Sequence, residues 1–283
     1  YAIQVVISFL FLTMLFVVLP RASVSAKRVN EVLEAKSKIT WKPQTIGKPD
    51  LKPSVEFAHV DFAYGGAEEK VLQDVSFTAK VGETTAFIGS TGSGKSTLIN
   101  LVPRFYEATA GEIKINGINI KDFAEQDLMR RIGYVPQRGV LFAGTVKSNI
   151  LFGAPEADEK QMKLAAEVSQ SAEFINKLEK KYDSHIAQGG TNVSGGQRQR
   201  LSIARAIAKD PDIYIFDDSF SALDMKTDAK LRAALKPITK DAVTLVVAQR
   251  ISTIRDAEQI VVLNQGKVVG KGTHLELIGK CKV

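Results

Sequence analysis

The sequence predicts an α/β domain with a largely parallel central sheet and an antiparallel β portion near its start, preceded by the end of an apolar helix. Three observations carry this. Short apolar runs, "TTAFIG", "DIYIF", "VTLVVA" and "QIVVLN", are separated by helical patterns, the order that gives parallel strands with crossover helices. Before them, "VEFAHVDFAY" alternates as a strand does and "GGAEE" signals a turn, as an antiparallel layer requires. At the start, "YAIQVVISFLFLTMLFVVLP" is almost wholly apolar.

Taken in order, that apolar segment comes first. It lacks a basic leader and a small-residue cleavage site, so it does not read as a signal peptide. Only Gln4, Ser8 and Thr13 interrupt it, and its length approaches the ~20 residues with which a helix crosses a bilayer. Residues 1–20 are expected to be the end of a transmembrane helix. Arg21, Lys27 and Arg28 follow, which places that end in the cytoplasm by the positive-inside bias. The abrupt opening at Tyr1 is expected of the tail of a larger membrane domain. Val29, Val32 and Leu33 then recur at helical spacing, as in a helix entering water with one apolar stripe. Pro43, Pro49 and Pro53 mark a linker. Residues 21–53 therefore read as a cytoplasmic extension and linker, and residues 54–283 as the folded domain. Within it, Glu156 to Lys181 follows a helical pattern, and Gly266 in "LNQGKVVG" separates two apolar runs as in a hairpin.

With 283 residues and 45% hydrophobic content, the chain can bury a substantial core, which excludes disorder as the default. Lys and Arg number 38 against 31 Asp and Glu, a net charge of +7. That balance suits an anionic membrane surface or nucleic acid, but no Lys/Arg tract is dense enough for a nucleic-acid footprint, and no nucleic-acid partner is expected. The single cysteine, Cys281, excludes an internal disulfide framework and fits a reducing compartment.

"GSTGSGKST", Gly89 to Thr97, fits G-x-x-x-x-G-K-[ST] between an apolar strand and a helical segment. Across Gly89, Ser90, Thr91, Gly92, Ser93 and Gly94 the glycines let the backbone curl so that successive N–H groups face phosphate oxygens, and the helix start adds partial positive charge. Lys95 suits the β- and γ-phosphates, and the Ser96 hydroxyl suits Mg²⁺. Thr97 completes the motif. This loop says nucleoside triphosphate and nothing finer. Asp217 ends an apolar strand, where a carboxylate can orient water around Mg²⁺, and Asp218 follows at once. "NVSGGQRQR" sets Ser194, Gly195 and Gly196 ahead of a helix with Leu201, Ala204, Ile207 and Ala208 on its apolar face and Pro211 marking its end. Such a start is expected to be a second anion site, with unpaired N–H groups and a serine hydroxyl aimed outward. Either each helix start grips a different nucleotide, or two copies face each other.

These motifs, with "YVPQ", "IYIFDD" and "SALD", stand in the order and spacing of an ATP-binding cassette. The chain resembles the nucleotide-binding domain of ABC transporters, of the exporter type that fuses transmembrane and ATP-binding domains. The resemblance implies the P-loop NTPase cassette fold, with a parallel core sheet, an antiparallel β subdomain and a helical subdomain. It implies ATP and Mg²⁺ as cofactors, and two cassettes paired head to tail. Tyr64 resembles the aromatic residue that stacks on adenine. Gln137 looks like the glutamine that contacts Mg²⁺ and the attacking water while sensing the membrane domain. Ser194, Gly195, Gly196 and Gln197 resemble the signature that clasps the γ-phosphate held by the partner's P-loop, and Asp224 the aspartate that contacts the partner. The implied setting is the cell membrane, with the cassette cytoplasmic and the source bacterial. The implied partners are a second half-transporter and a small-molecule, lipid or peptide cargo. "GTHLELIGKCKV" stops before the helical tail such cassettes usually have.

Three positions depart from the family pattern. Asp218 stands where the pattern has a glutamate that polarises the attacking water. The shorter side chain withdraws the carboxylate by about an ångström, and a misplacement of that size can cost ~10²-fold in rate. Gln249 replaces the switch histidine and cannot become a cation. Gln188 stands where exporters usually carry an acid. With the signature intact, the first two imply an exporter of two unlike halves. In it this chain's own site turns over slowly while its signature completes a competent site on the partner. Rival readings are a homodimeric exporter with Asp218 as working base, a soluble ABC-type ATPase clamp, and a nucleotide kinase, which has no use for "VSGGQ".

Overall fold

The computed structural model describes residues 1–35, 37, 39–45, 52–250 and 254–279. Pro49 and Cys281 lie outside the described residues. Two compact units divide between Thr40 and Trp41. The first is built on one helix, α1 (Ala2–Leu33), which runs through Pro20 and is long and apolar enough to cross a membrane by length and composition. Its Ser8 and Thr13 hydroxyls donate to the carbonyls of Gln4 and Phe9 at 2.9 and 2.8 Å. Both are thus satisfied within the helix, the condition for polar groups away from water.

The second unit holds two main sheets. An antiparallel sheet of β1 (Ser54–Phe62), β2 (Leu72–Lys80), β4 (Ala110–Ile115) and β5 (Ile118–Asn119) has the order β2-β1-β4-β5. The second has six strands in the order β12-β11-β3-β10-β9-β6. Here β3 (Thr84–Ile88), β6 (Ile132–Val135), β9 (Ile213–Asp217), β10 (Val243–Val247) and β11 (Gln259–Asn264) are mutually parallel. The edge strand β12 (Lys267–Gly272) returns antiparallel to β11. Its turn, Gln265 and Gly266, has φ of 47° and 77°, the paired left-handed conformation of a tight hairpin. A two-residue ribbon, β7 (Gly144–Thr145) with β8 (His185–Ile186), lies apart from both.

Burial on both faces of the parallel sheet explains the unbroken apolar runs. All five residues of β9 and of β10 are buried, and successive side chains serve opposite cores. Phe216, Val246 and Val262 join Leu201, Ala204 and Ile207 of α7 (Gly195–Ala208). Ile215, Leu245 and Val261 join Phe57 and Phe77 of the antiparallel sheet and Leu98, Ile99 and Leu101 of α2 (Lys95–Leu101). The remaining main helices are α3 (Glu125–Arg130), α4 (Val146–Ile150), α5 (Glu159–Val168), α6 (Ala172–Ile175) and α8 (Met225–Ile238).

One expected helix is broken. The pattern from Glu156 to Lys181 divides into α5, α6 and a short 3₁₀ turn at Lys181–Asp183. Between them Gln170 takes a left-handed φ of 59°. Ser169 and Ser171, both fully buried, explain the break: the Ser169 hydroxyl lies 2.9 Å from that of Ser171 and 3.1 Å from the Ala166 carbonyl. Hydroxyl-to-backbone bonds of this kind compete with helix continuation, and a 3.6-residue apolar period does not reveal them.

Within the second unit, Trp41 and Thr45, ahead of β1, are held by side-chain contacts. The Arg104 guanidinium lies 4.5 Å over the Trp41 ring, and Thr45 accepts from the Ala124 N–H at 3.1 Å while donating to Asp127.

Between β3 and α2 the chain turns so tightly that glycine is required. Gly89 has φ 147°, and a Cβ there would stand 2.1 Å from the Leu263 carbonyl oxygen; at Gly94, φ 99°, it would stand 2.8 Å from a Leu72 methyl. Gly89→Ala is expected to destabilise the fold by more than about 2 kcal/mol, since a left-handed φ and a backbone clash act together. Urea unfolding followed by circular dichroism measures it, and an unchanged midpoint would mean that β11 can shift away.

Candidate functional site

At the C-terminal end of the parallel strands lies a cleft of ≈ 380 Å³, the place where open α/β sheets bind ligands. Its floor is the turn before α2, contributing Thr91, Gly92 and Gly94, and the first turn of α2, contributing Lys95, Ser96 and Thr97. Asp217 and Asp218 enter from the end of β9, Gln249 from the end of β10, and Gln137 from the segment after β6; Val71 and Val247 complete the wall. Ten of the residues singled out in the sequence thus converge here from segments far apart in the chain.

The Lys95 ammonium donates to the carbonyls of Gly89 and Ser90 at 3.0 and 2.8 Å and approaches the Ser93 hydroxyl at 3.4 Å. Burial lowers its pKa, while the nearby Asp218 and Asp217 oppose that shift. Asp217 is 7% exposed. Burial raises its pKa, and the hydroxyl of Ser96, donating at 3.0 Å, opposes the rise. Tyr134 Oη donates to Asn100 Oδ1 at 2.9 Å and lies 3.5 Å from Asp217 Oδ2.

Asp218 sits just past the strand in a left-handed backbone conformation, φ 46°, and its N–H donates to the Val247 carbonyl at 2.9 Å. One carboxylate oxygen, Oδ2, accepts from both Gln137 Nε2 at 3.3 Å and Gln249 Nε2 at 3.1 Å. Burial is the main cause of its raised pKa, with the Gln137 bond opposing.

Among the described residues no cluster of three His, Cys, Asp or Glu side chains could cage a metal ion. The Ser96 hydroxyl and Asp217 carboxylate are hard oxygen donors side by side, which suits Mg²⁺ completed by phosphate oxygens and water. The donor set therefore fits the expected ion.

The cleft lining, among the described residues, includes none of Ser194, Gly195, Gly196, Gln197 or Asp224. These occupy two helix starts elsewhere, with Ser194, Gly195 and Asp224 exposed. At α7 the expected outward hydroxyl and unpaired N–H groups are in part replaced by a capping box: Ser194 Oγ accepts from the Gln197 N–H at 3.2 Å, and Gln197 Oε1 accepts from the Ser194 N–H at 2.9 Å. The S-x-x-Q spacing foretells it. Asp224 caps α8, accepting from the Thr227 N–H at 2.9 Å. Tyr64 does not line the cleft, but its Oη lies 3.0 Å from Thr97 Oγ1. Gln188 is exposed in a 3₁₀ turn.

Sequence reasoning missed two connections. Gln199, 2% exposed, reaches from α7 to the Gln137 segment, accepting from the Gly139 N–H at 2.7 Å and donating to the Pro136 carbonyl at 3.0 Å. Phe142 and Phe152 stack at 4.2 Å, remain 43% and 60% exposed, and are underlain by Arg205.

Comparison with known proteins agrees with this geometry. A family model described as ABC transporter matches residues 72–221. An uncharacterized ABC transporter ATP-binding protein of Mycobacterium bovis is 44% identical over 99% of this chain and 49% of its own length. A Staphylococcus aureus protein, provisionally named a multidrug export ATP-binding/permease protein, is 46% identical over 80% of this chain and 39% of its own. The solved structure of a bacterial Atm1-family ABC exporter with ATP bound superposes with a TM-score of 0.84 at 31% identity, covering 94% of this chain and 46% of that one. The chain thus spans about half the length of the relatives it matches, or less.

In metal-free buffer at pH 7, Asp217→Asn is expected to raise the melting temperature, because it removes a buried charge. The raised pKa fixes the sign: the ionised carboxylate costs stability above the ordinary aspartate range, and below about pH 3.9 both side chains are neutral and the advantage disappears. Calorimetry across that range checks it, and a lower melting temperature at pH 7 would show that the Ser96 and Tyr134 contacts outweigh burial.

Proposed function

This chain belongs to the ABC transporter family, and from that premise we propose that it is the ATP-binding part of an exporter, coupling ATP binding and hydrolysis at a cassette pair to export across a membrane. Residues 1–20 are the end of a transmembrane helix, 21–53 a cytoplasmic extension and linker, and 54–283 the cassette. The homologous bacterial exporter supports this reading, as does the apolar α1. The cell membrane is the corresponding location. The exposed Phe142 and Phe152 beside the Gln137 segment are the face offered to the membrane domain.

In the cleft, Lys95 and the N–H groups of the turn bind phosphates, while Ser96 and Asp217 hold Mg²⁺, which supplies charge neutralisation when bound. Separation of Ser194 to Gln197 from this cleft favours a head-to-tail pair, in which the signature of each chain closes the other's site.

We read the pair as unlike halves, this chain having the slower site. The observation that carries it is the convergence of the Gln137 and Gln249 amides on one oxygen of Asp218. A water-polarising base needs a free lone pair aimed at the attacking water. Here the acid is short, engaged by two neutral donors, and without a neighbouring imidazole to take up positive charge. The rival, a homodimer with Asp218 as working base, uses the other carboxylate oxygen, Oδ1, or requires Gln249 to release Oδ2.

The full chain, purified alone in detergent, is expected to bind ATP but hydrolyse it slowly, and Asp218→Glu with Gln249→His to raise the rate at least about tenfold. Steady-state phosphate release measures both. Brisk hydrolysis by the unmodified chain alone, abolished by Asp218→Asn, would overturn the unlike-halves reading in favour of the homodimer.

In a matched experiment, Gly195→Asp is expected to leave ATP affinity at this chain's cradle within about twofold while lowering hydrolysis in a complex with a catalytically complete partner by about tenfold or more, since it places a carboxylate where a phosphate should sit. Unimpaired hydrolysis by that complex would remove the signature from the reaction.

A further inference from the structure

We propose that Tyr106 is a positioning residue for nucleotide binding, holding the Tyr64 ring so that the platform for the base moves together with the phosphate cradle. This rests on the reading of the cleft as an ATP site and adds to it a residue outside the recognised motifs.

Tyr64 lies two residues beyond β1 and is 39% exposed, so its own strand does not fix it. Three contacts do. Its ring meets Phe62 at 4.9 Å and 82°, and Tyr106 at 5.2 Å and 89°. Both are the near-perpendicular arrangement that the ring quadrupole favours. Its hydroxyl lies 3.0 Å from that of Thr97. Phe62 is 3% exposed and touches Tyr106 in turn, at 5.7 Å, so the three rings form one closed cluster.

The source of these contacts decides what they do. Thr97 belongs to α2, the helix that opens on the phosphate-binding turn, and Tyr106 to the segment leaving that helix. The segment is anchored: the Phe105 N–H donates to the Asn100 carbonyl at 3.2 Å, and the buried Arg104 bonds Glu107 and covers Trp41. Two of the three supports of Tyr64 therefore come from the helix that carries Lys95 and Ser96 and the anchored segment that leaves it. A platform tied to β1 alone would swing relative to the phosphates, and stacking a purine while its triphosphate is gripped requires both groups at one fixed separation. Tyr106 acts through Tyr64 and supplies a ring face or edge, so phenylalanine should replace it and a small side chain should not.

The test compares ATP with inorganic triphosphate, which uses the cradle but carries no base. Dissociation constants are measured for the full chain in detergent with Mg²⁺. Tyr106→Ala is expected to weaken ATP about three- to tenfold and leave triphosphate unchanged, while Tyr106→Phe binds both as the unmodified protein does. Thr97→Val with Tyr106→Ala should weaken ATP further. The inference is overturned if Tyr106→Ala leaves ATP affinity unchanged, if it weakens both ligands equally, as a structural defect would, or if Tyr106→Phe fails to restore binding. Should the unmodified chain bind triphosphate as tightly as ATP, the base platform falls while the phosphate cradle stands. Should it bind neither, the nucleotide reading itself falls.

Discussion

Two adjacent carboxylates, Asp217 and Asp218, are held largely out of water at the end of a buried strand, and the surrounding structure is organised to tolerate them. Charge in a poorly solvated site is costly unless it is bonded or compensated. Compensation comes from every side: the Ser96 hydroxyl and, more weakly, Tyr134 for Asp217, the Gln137 and Gln249 amides for Asp218, and the Lys95 ammonium in front of both. These groups come from three stretches far apart in the chain: Lys95 with Ser96, Tyr134 with Gln137, and Gln249. They meet because β9 is clamped between β10 and β6 and its alternating side chains are embedded in both cores, leaving its end no freedom to retreat toward solvent.

The backbone at Asp218 sharpens the point. A left-handed φ is tolerated by aspartate and asparagine better than by most residues, because a short polar side chain can bond locally. The shorter acid is thus at ease where it stands, while its reach is reduced. The local conformation favours a restrained carboxylate over a reaching one, and the two glutamines complete that state.

The cleft is also wired to distant surfaces. Gln199 joins α7, whose exposed start carries Ser194 to Gln197, to both sides of Gln137. Arg205, one turn and a half further along α7, donates to Asn149 and to the Val140 carbonyl beneath the Phe142 and Phe152 pair. One helix therefore links a glutamine of the cleft wall, an exposed capping box and an exposed aromatic pair. Rigid elements joined by buried side-chain bonds are the physical means by which occupancy at one place can bias another.

Sequence alone determined the parallel core, the antiparallel layer, the glycine-rich turn before α2, the acid at the end of β9 and the capped helix start at Ser194, because each is encoded locally. Apolar runs register burial on two faces, glycines register impossible backbone angles, and a hydroxyl after a lysine registers chemistry at a helix start. Tertiary structure alone decided the rest. The break after α5 depends on buried serine bonds that leave no periodic trace. The pairing of Gln137 and Gln249 on a single oxygen of Asp218, the seat of Tyr106 against Tyr64, and the reach of Gln199 all join residues separated by tens of positions. Such contacts are fixed by how strands and helices pack, and packing is a property of the whole chain that no single segment carries.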